Sequence, residues 1–175
     1  GGEGGMITST SPEIGARIKS IVDHGRDGSL QSQEVGTNMR MSEVFAAIGR
    51  VQLKHLDDWL ARRRSNATKL SETIGEHPKL HAPQVRPNSE HAWHQYCLQA
   101  ENVEAFLQHM AAHEIDARRI YPVPCHQHPV YKDHQQASDE FSMTSQLSKQ
   151  LVSIPVHHGL TDVELERIVE ALNSY

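Results

Sequence analysis

The run from Trp93 to Tyr121, WHQYCLQAENVEAFLQHMAAHEIDARRIY, decides the fold. Apolar and aromatic residues at Trp93, Tyr96 and Leu98 suggest a strand, Val103 to His113 a helix, and Ala117 to Tyr121 a second strand. Downstream, Pro122-Val123-Pro124 and Pro129 impose an extended loop, because each proline fixes φ and removes a donor. Met143 to Gln150 reads as helix and Leu151 to Val156 as strand. A last helix ends near Leu172, and Thr161 with Glu164 three residues on forms a capping box at its start. Strands and helices alternating in this way predict a small α+β domain with helices on one sheet face, within an α/β chain. There are no internal repeats.

Upstream, Gly75 to Asn88 is rich in glycine, proline and polar residues and marks a boundary. Before it, Ser42 is placed to cap a helix running to Ile74, with an apolar stripe through Val44, Ile48, Val51, Leu56, Trp59 and Leu60 that Leu70 and Ile74 continue. Roughly thirty residues at ~1.5 Å rise make a rod of about 45 Å, the length of a connector between domains or of a helix lying on a partner subunit. Arg26 to Met41 lacks periodicity and reads as a long loop, expected to be mobile without a partner surface to order it. Ser11-Pro12-Glu13 starts a shorter helix whose apolar positions are Ile14, Ile18, Ile21 and Val22, with Gly25 beyond its end. Met6-Ile7-Thr8 reads as a short strand. Three segments result: 1–41, a remnant of a larger domain with a long loop; 42–74, a connecting helix; and 75–175, the small α+β domain.

Composition narrows the function. A net charge of −5 and a pI near 6.2 leave no electrostatic footprint for nucleic acid, and Arg62-Arg63-Arg64 is the only basic run. No apolar stretch approaches the ~20 residues that cross a bilayer. Cys97 and Cys125, the two cysteines, suit a reducing cytoplasm better than a disulfide framework. The thirteen histidines cluster at His91 and His94, at Cys125-His126-Gln127-His128 and at His157-His158, but in no standard zinc spacing, so no metal site is expected. The opening Gly1-Gly2-Glu3-Gly4-Gly5-Met6 has no initiator methionine, and reads either as a linker scar or as a chain beginning in mid-protein.

Several pieces remain, and they follow one order: Gly2-Glu3-Gly4-Gly5-Met6-Ile7-Thr8; Gly36-Thr37-Asn38-Met39-Arg40-Met41-Ser42-Glu43; Ala46-Ala47-Ile48-Gly49-Arg50-Val51-Gln52-Leu53; Arg62-Arg63-Arg64; His91-Ala92-Trp93-His94; Tyr121-Pro122-Val123-Pro124 with His126, Pro129 and Tyr131; and Leu160-Thr161-Asp162. Each alone is weak. In sequence they resemble, from end to end, the DegT/DnrJ/StrS family of sugar aminotransferases.

That resemblance implies the carboxy-terminal part of an aspartate-aminotransferase-like, fold type I, pyridoxal-phosphate enzyme. It implies a homodimer with each cofactor at the subunit boundary, acting in the cytoplasm. It also places the Schiff-base lysine just upstream of Gly1, since Lys19, Lys54, Lys69, Lys79, Lys132 and Lys149 occupy positions the family does not use for this role. By position, Asn38 would touch the phosphate of the partner subunit's pyridoxal phosphate, its amide donating to an oxygen. Arg40 would contact the nucleotide-sugar, a planar fork suited to phosphate or carboxylate. An ordinary turn with Asn38 in a left-handed conformation is the plainer reading of the same residues. Tyr121 would face the sugar, Ile120 replaces a histidine usual in the family, Arg119 is a gained cation nearby, and His126 would line the entrance. Trp93 reads as core. The implied reaction transfers an amino group, with glutamate as donor, to a nucleotide-linked keto-sugar, while residues 1–175 alone would be inactive. A sugar dehydratase of the same fold and a non-enzymatic regulatory or binding module are the alternatives.

Overall fold

The computed structural model of the chain describes residues 4–134 and 141–175; the opening Gly1 to Glu3 of the glycine-rich motif lies outside them. Two compact units divide the chain, Gly1–Leu56 and Asp57–Tyr175.

The first unit is two helices and a tied loop. Helix α1 spans Pro12–Val22, with the Ser11 hydroxyl accepting from the Ile14 amide at 3.3 Å and proline in the first turn. It stops where His24 and Gly25 turn left-handed, at φ 62° and 75°. Helix α2, Glu43–Leu53, begins at Ser42, whose hydroxyl accepts from the Phe45 amide at 3.4 Å. Met6 to Thr8 form no strand: no other described segment offers them a ladder of backbone partners.

The expected single rod over 42–74 is two helices. The Lys54 amide donates to Val51 O (3.2 Å) and the His55 amide to Gln52 O (3.0 Å), tightening the last turn of α2 into three-residue closures. Helix α3 then runs Leu56–Ile74. The face of α2 carrying Val44, Phe45, Ile48 and Val51 is exposed, whereas Ala67, Leu70 and Ile74 of α3 are buried in the second unit. The two parts of one sequence stripe thus have different surroundings.

In the second unit a four-stranded antiparallel sheet has the order β1-β2-β4-β3, with β1 Leu80–His81, β2 Tyr96–Ala100, β3 Arg118–Arg119 and β4 Leu151–Ile154. Helix α4 (Val103–Ala112) follows β2, a short α5 (Ser142–Leu147) precedes β4, and α6 (Asp162–Asn173) ends the unit. Thr161 and Glu164 form the expected capping box, hydroxyl to the Glu164 amide and carboxylate to the Thr161 amide. Burial alternates along β2 and β4, so one face is packed. Tyr96, Leu98, Val152 and Ile154 supply that face, and Leu70 of α3, Phe106 and Met110 of α4, and Ile168 and Leu172 of α6 cover it. Side chains of this size contribute roughly 1.5–3 kcal/mol each when fully buried, an upper estimate relative to an extended chain. The Tyr96 hydroxyl bonds Ser71 Oγ at 2.9 Å, and this burial raises the phenol pKa. The second expected strand, Ala117 to Tyr121, shrinks to the two residues of β3.

Candidate functional site

Asn38 and Arg40 lie in the loop between α1 and α2, and the backbone explains how they are held. The Thr37 amide donates to Ile21 O (2.9 Å), the Met39 amide to Val22 O (3.0 Å) and the His24 amide to Thr37 O (3.2 Å). Asp23 and Asn38 face one another as an antiparallel bridge. The base of the loop is therefore laid along the end of α1 by backbone hydrogen bonds. Two glycines make this approach feasible. A Cβ on Gly36 would meet the Gly25 nitrogen at 2.2 Å and Ile21 O at 2.6 Å, and one on Gly25 would meet Glu34 O at 1.8 Å. Beyond the base, the Gln33 amide still reaches Gly25 O at 2.8 Å, and the exposed tip carries Leu30.

Asn38 is not left-handed: the positive-φ residues other than glycine are His24, Asn88, Trp93 and Glu114. Its carbonyl Oδ1 accepts from both the amide and the Nε of Arg40, each at 3.3 Å. Its NH₂ group makes no hydrogen bond among the described residues. Arg40 Nη1 lies 3.5 Å from Asp23 Oδ1, an ion pair; Asp23 Oδ1 is shut off from solvent and accepts no hydrogen bond. The result is an amide donor beside a guanidinium, both on a fixed base and both solvent-facing. An amide donor beside a guanidinium is of the chemistry that phosphate oxygens accept.

The other expected residues belong to the second unit. Tyr121 is 76% exposed just after β3. His126 sits in a 3-10 turn, Cys125–Gln127, where its Nε2 lies 3.3 Å from Ser145 Oγ and its ring stacks on Phe141 at 4.8 Å. Arg119 Nη1 donates to Glu104 of α4 at 3.1 Å and Nη2 to Lys149 O at 3.4 Å. It is paired with the helix that covers the sheet. Arg118 is opposite Ser153 in register, on the other face. Trp93 is buried as expected and stacks with Tyr96 at 5.4 Å, but it is not in the strand: its φ is 49°. For a bulky residue that conformation costs about 1–3 kcal/mol.

Sequence reasoning missed two groups. Asn66 of α3 is fully buried and donates from Nδ2 to His157 O (3.1 Å) and Val156 O (3.4 Å), fixing the turn after β4. The signal available was a polar residue on the stripe of Ala67, Leu70 and Ile74. Arg63 donates from Nη1 to Trp93 O (2.8 Å) and His94 O (3.3 Å) beside a cavity of about 350 Å³. Among the described residues no group of three His, Cys, Asp or Glu side chains is placed to hold a metal, and no helix is long and apolar enough to cross a membrane.

This architecture is that of the sugar aminotransferases, a fold type I assembly of which the chain represents a part. It superposes on the crystal structure of S. venezuelae DesV in complex with a ketimine intermediate with a TM-score of 0.89 at 26% identity, covering 94% of this chain and 44% of that one. The chain belongs to the DegT/DnrJ/EryC1/StrS aminotransferase family, whose profile matches residues 1–173. It is 33% identical over 172 residues to the dTDP-3-amino-3,6-dideoxy-alpha-D-galactopyranose transaminase of Aneurinibacillus thermoaerophilus, and 29% identical over 173 residues to the erythromycin biosynthesis sensory transduction protein EryC1 of Saccharopolyspora erythraea. These alignments cover 98% and 99% of this chain and 47% of each relative, so the chain spans about half the length of the curated relatives it matches.

Proposed function

We propose that this chain supplies the substrate-facing half of a pyridoxal-phosphate aminotransferase that moves an amino group from glutamate to a nucleotide-linked keto-sugar. The observation that carries the reading is the Asn38–Arg40 donor pair, held on the end of α1 in a chain of an aminotransferase family. The residues fit the cofactor's phosphate: the free NH₂ of Asn38 donates, and Arg40 adds positive charge that Asp23 keeps in place. When bound, the cofactor supplies the electron sink for amino transfer. In this reading Asn38 serves the site of a partner subunit; Arg40 contacts the nucleotide-sugar, and Tyr121, in the second unit, faces the sugar. Arg119, paired to Glu104, acts on the sugar only after exchanging that partner, and His126 shapes the entrance through its contacts with Ser145 and Phe141. The exposed apolar face of α2 supports a homodimer, and two free thiols support a cytoplasmic setting.

In the same reading, none of the lysines among residues 1–175 carries the cofactor. Lys69 pairs with Glu166, and Lys79 lies over the Tyr175 ring, so these two are occupied in the fold. Treating the chain with pyridoxal phosphate and borohydride should give no stoichiometric adduct at a single lysine; one such adduct would refute the assignment. For the reaction, protein containing this segment should convert glutamate to 2-oxoglutarate when given a nucleotide-linked keto-sugar. Arg40→Gln should raise KM for the sugar by about tenfold, the worth of one charge-assisted hydrogen bond. Turnover independent of any nucleotide-sugar would overturn the reading.

A further inference from the structure

The three arginines in succession on α3 are not equivalent. Arg62 pairs with Asp162 at 2.6 Å and Arg64 with Glu90 at 2.8 Å. Arg63, half-buried between them, has no carboxylate partner among the described residues. A single nitrogen, Nη1, makes both of its hydrogen bonds, to the carbonyls of Trp93 and His94. Successive carbonyls point in opposite directions along a strand, and the left-handed φ of Trp93 lets these two converge on one donor. The backbone is bent at this point, and the bend holds a guanidinium still while leaving its Nε–Nη2 edge uncommitted.

Arg63 lines the cavity of about 350 Å³ together with Arg118, Asp116, His94 and His157. Arg118 gives Nε and Nη2 to the two oxygens of Asp116, at 2.8 and 2.6 Å, and keeps Nη1. Two guanidiniums therefore face one carboxylate, and that carboxylate is already engaged. A cation partly removed from water with no counter-ion is costly, and an incoming anion offsets that cost. Ile120 and Val156 add an apolar wall to the same cavity, while the side chains of Arg118 and Asp116 stay largely exposed and open to an incoming ligand.

We infer that this cavity binds a small oxyanion, a carboxylate or a phosphate group, with Arg63 as the fixed bidentate donor and Arg118 as the second, adjustable one. Both groups offer a planar guanidinium two acceptor oxygens in the matching geometry. The inference does not depend on the aminotransferase reading, since every residue in it belongs to the second unit and none is among those assigned to the cofactor or sugar.

The test is calorimetric titration of the 175-residue chain with inorganic phosphate and, separately, glutarate, alongside backbone amide shifts of Gln95, Ser153 and His157. All proteins carry Asn38→Ala with Arg40→Gln, which removes the first unit's own phosphate donors from the measurement. One-to-one binding that moves those three amides is expected. Arg63→Lys keeps a charge and a donor for the two carbonyls but loses the fork, and should weaken binding about tenfold, as should Arg118→Gln. Asp116→Asn should tighten it, because it removes the competing carboxylate and frees Arg118. Phosphate binding without glutarate binding assigns a phosphoryl ligand, the reverse a carboxylate ligand, and binding of both the shared oxyanion chemistry. Binding of neither anion, affinity unchanged by Arg63→Lys and Arg118→Gln, or weakening by Asp116→Asn each overturns the inference.

Discussion

Gly36→Ala probes how the Asn38–Arg40 pair is positioned. The added methyl would stand 2.2 Å from the Gly25 nitrogen, 2.6 Å from Ile21 O and 2.8 Å from the His24 carbonyl carbon. All three neighbours are backbone atoms, so no side chain can rotate away, and relief requires the loop to lift from α1. Lifting breaks the hydrogen bonds of His24 with Thr37, Thr37 with Ile21 and Met39 with Val22. At about 1 kcal/mol net each, the local structure loses roughly 3 kcal/mol. That corresponds to about a hundredfold faster exchange at the Thr37 and Met39 amides, with little change at Leu98 or Val152 in the second unit. Native-state hydrogen exchange reads this directly. Gly15→Ala is the control of opposite sign: Gly15 lies inside α1 with nothing within 4 Å of its Cβ position, so alanine should stabilise by about 0.5–1 kcal/mol. Unchanged protection at Thr37 and Met39 in Gly36→Ala would show that the glycine does not set the loop base.

Asn66→Ala strands two carbonyls in a buried place and should cost about 1–3 kcal/mol, a fall in Tm on the order of 5–10 °C for the second unit; a loss under 2 °C would refute the role given to it. Acid should weaken the start of α6. Hydrogen bonds from Thr161 lower the Glu164 pKa below its ordinary 4.5, and the hydrogen bond and charge of Arg62 lower that of Asp162 below 3.8. Depressed values of this kind contribute stability present above the ordinary pKa and lost as pH falls through the folded-state value. The unfolding midpoint should therefore decline below about pH 4.5, more gently in Thr161→Ala with Arg62→Met, and identical pH profiles would refute the linkage. Thiol labelling should modify Cys125, which is exposed, well before Cys97, whose thiol pKa is raised by burial; equal rates would contradict the packing of β2.

The features readable from sequence were those decided within a few residues. Ser11, Ser42 and Thr161 each cap the helix they were expected to cap, because capping depends on one side chain and the next turn. The break at Lys54–His55 had no such marker: neither glycine nor proline stands there, and both residues suit a helix interior. Which arginine faces which way was also hidden. A one-residue shift of register exchanges the faces, so only pairing with β4 separates Arg118 from Arg119. Asn38 and Arg40 were singled out by resemblance, whereas Asp23, which pairs with Arg40, was not, because the bridge between Asp23 and Asn38 closes only when two glycines allow the backbones to meet. A two-residue strand such as Leu80–His81 is invisible to any pattern with a period of two.

The strand order has a consequence for synthesis. β4 lies between β2 and β3, yet it is the last of the four to leave the ribosome. Until Leu151 to Ile154 emerge, β3 has no neighbour and one edge of β2 is open, so the nascent sheet is at most the short β1–β2 pair. The apolar faces of α4 and β2 then wait for a strand and a helix encoded at the far end of the chain. The second unit should therefore stay protease-sensitive on stalled ribosomes until α6 has cleared the exit tunnel, and then acquire resistance in one step.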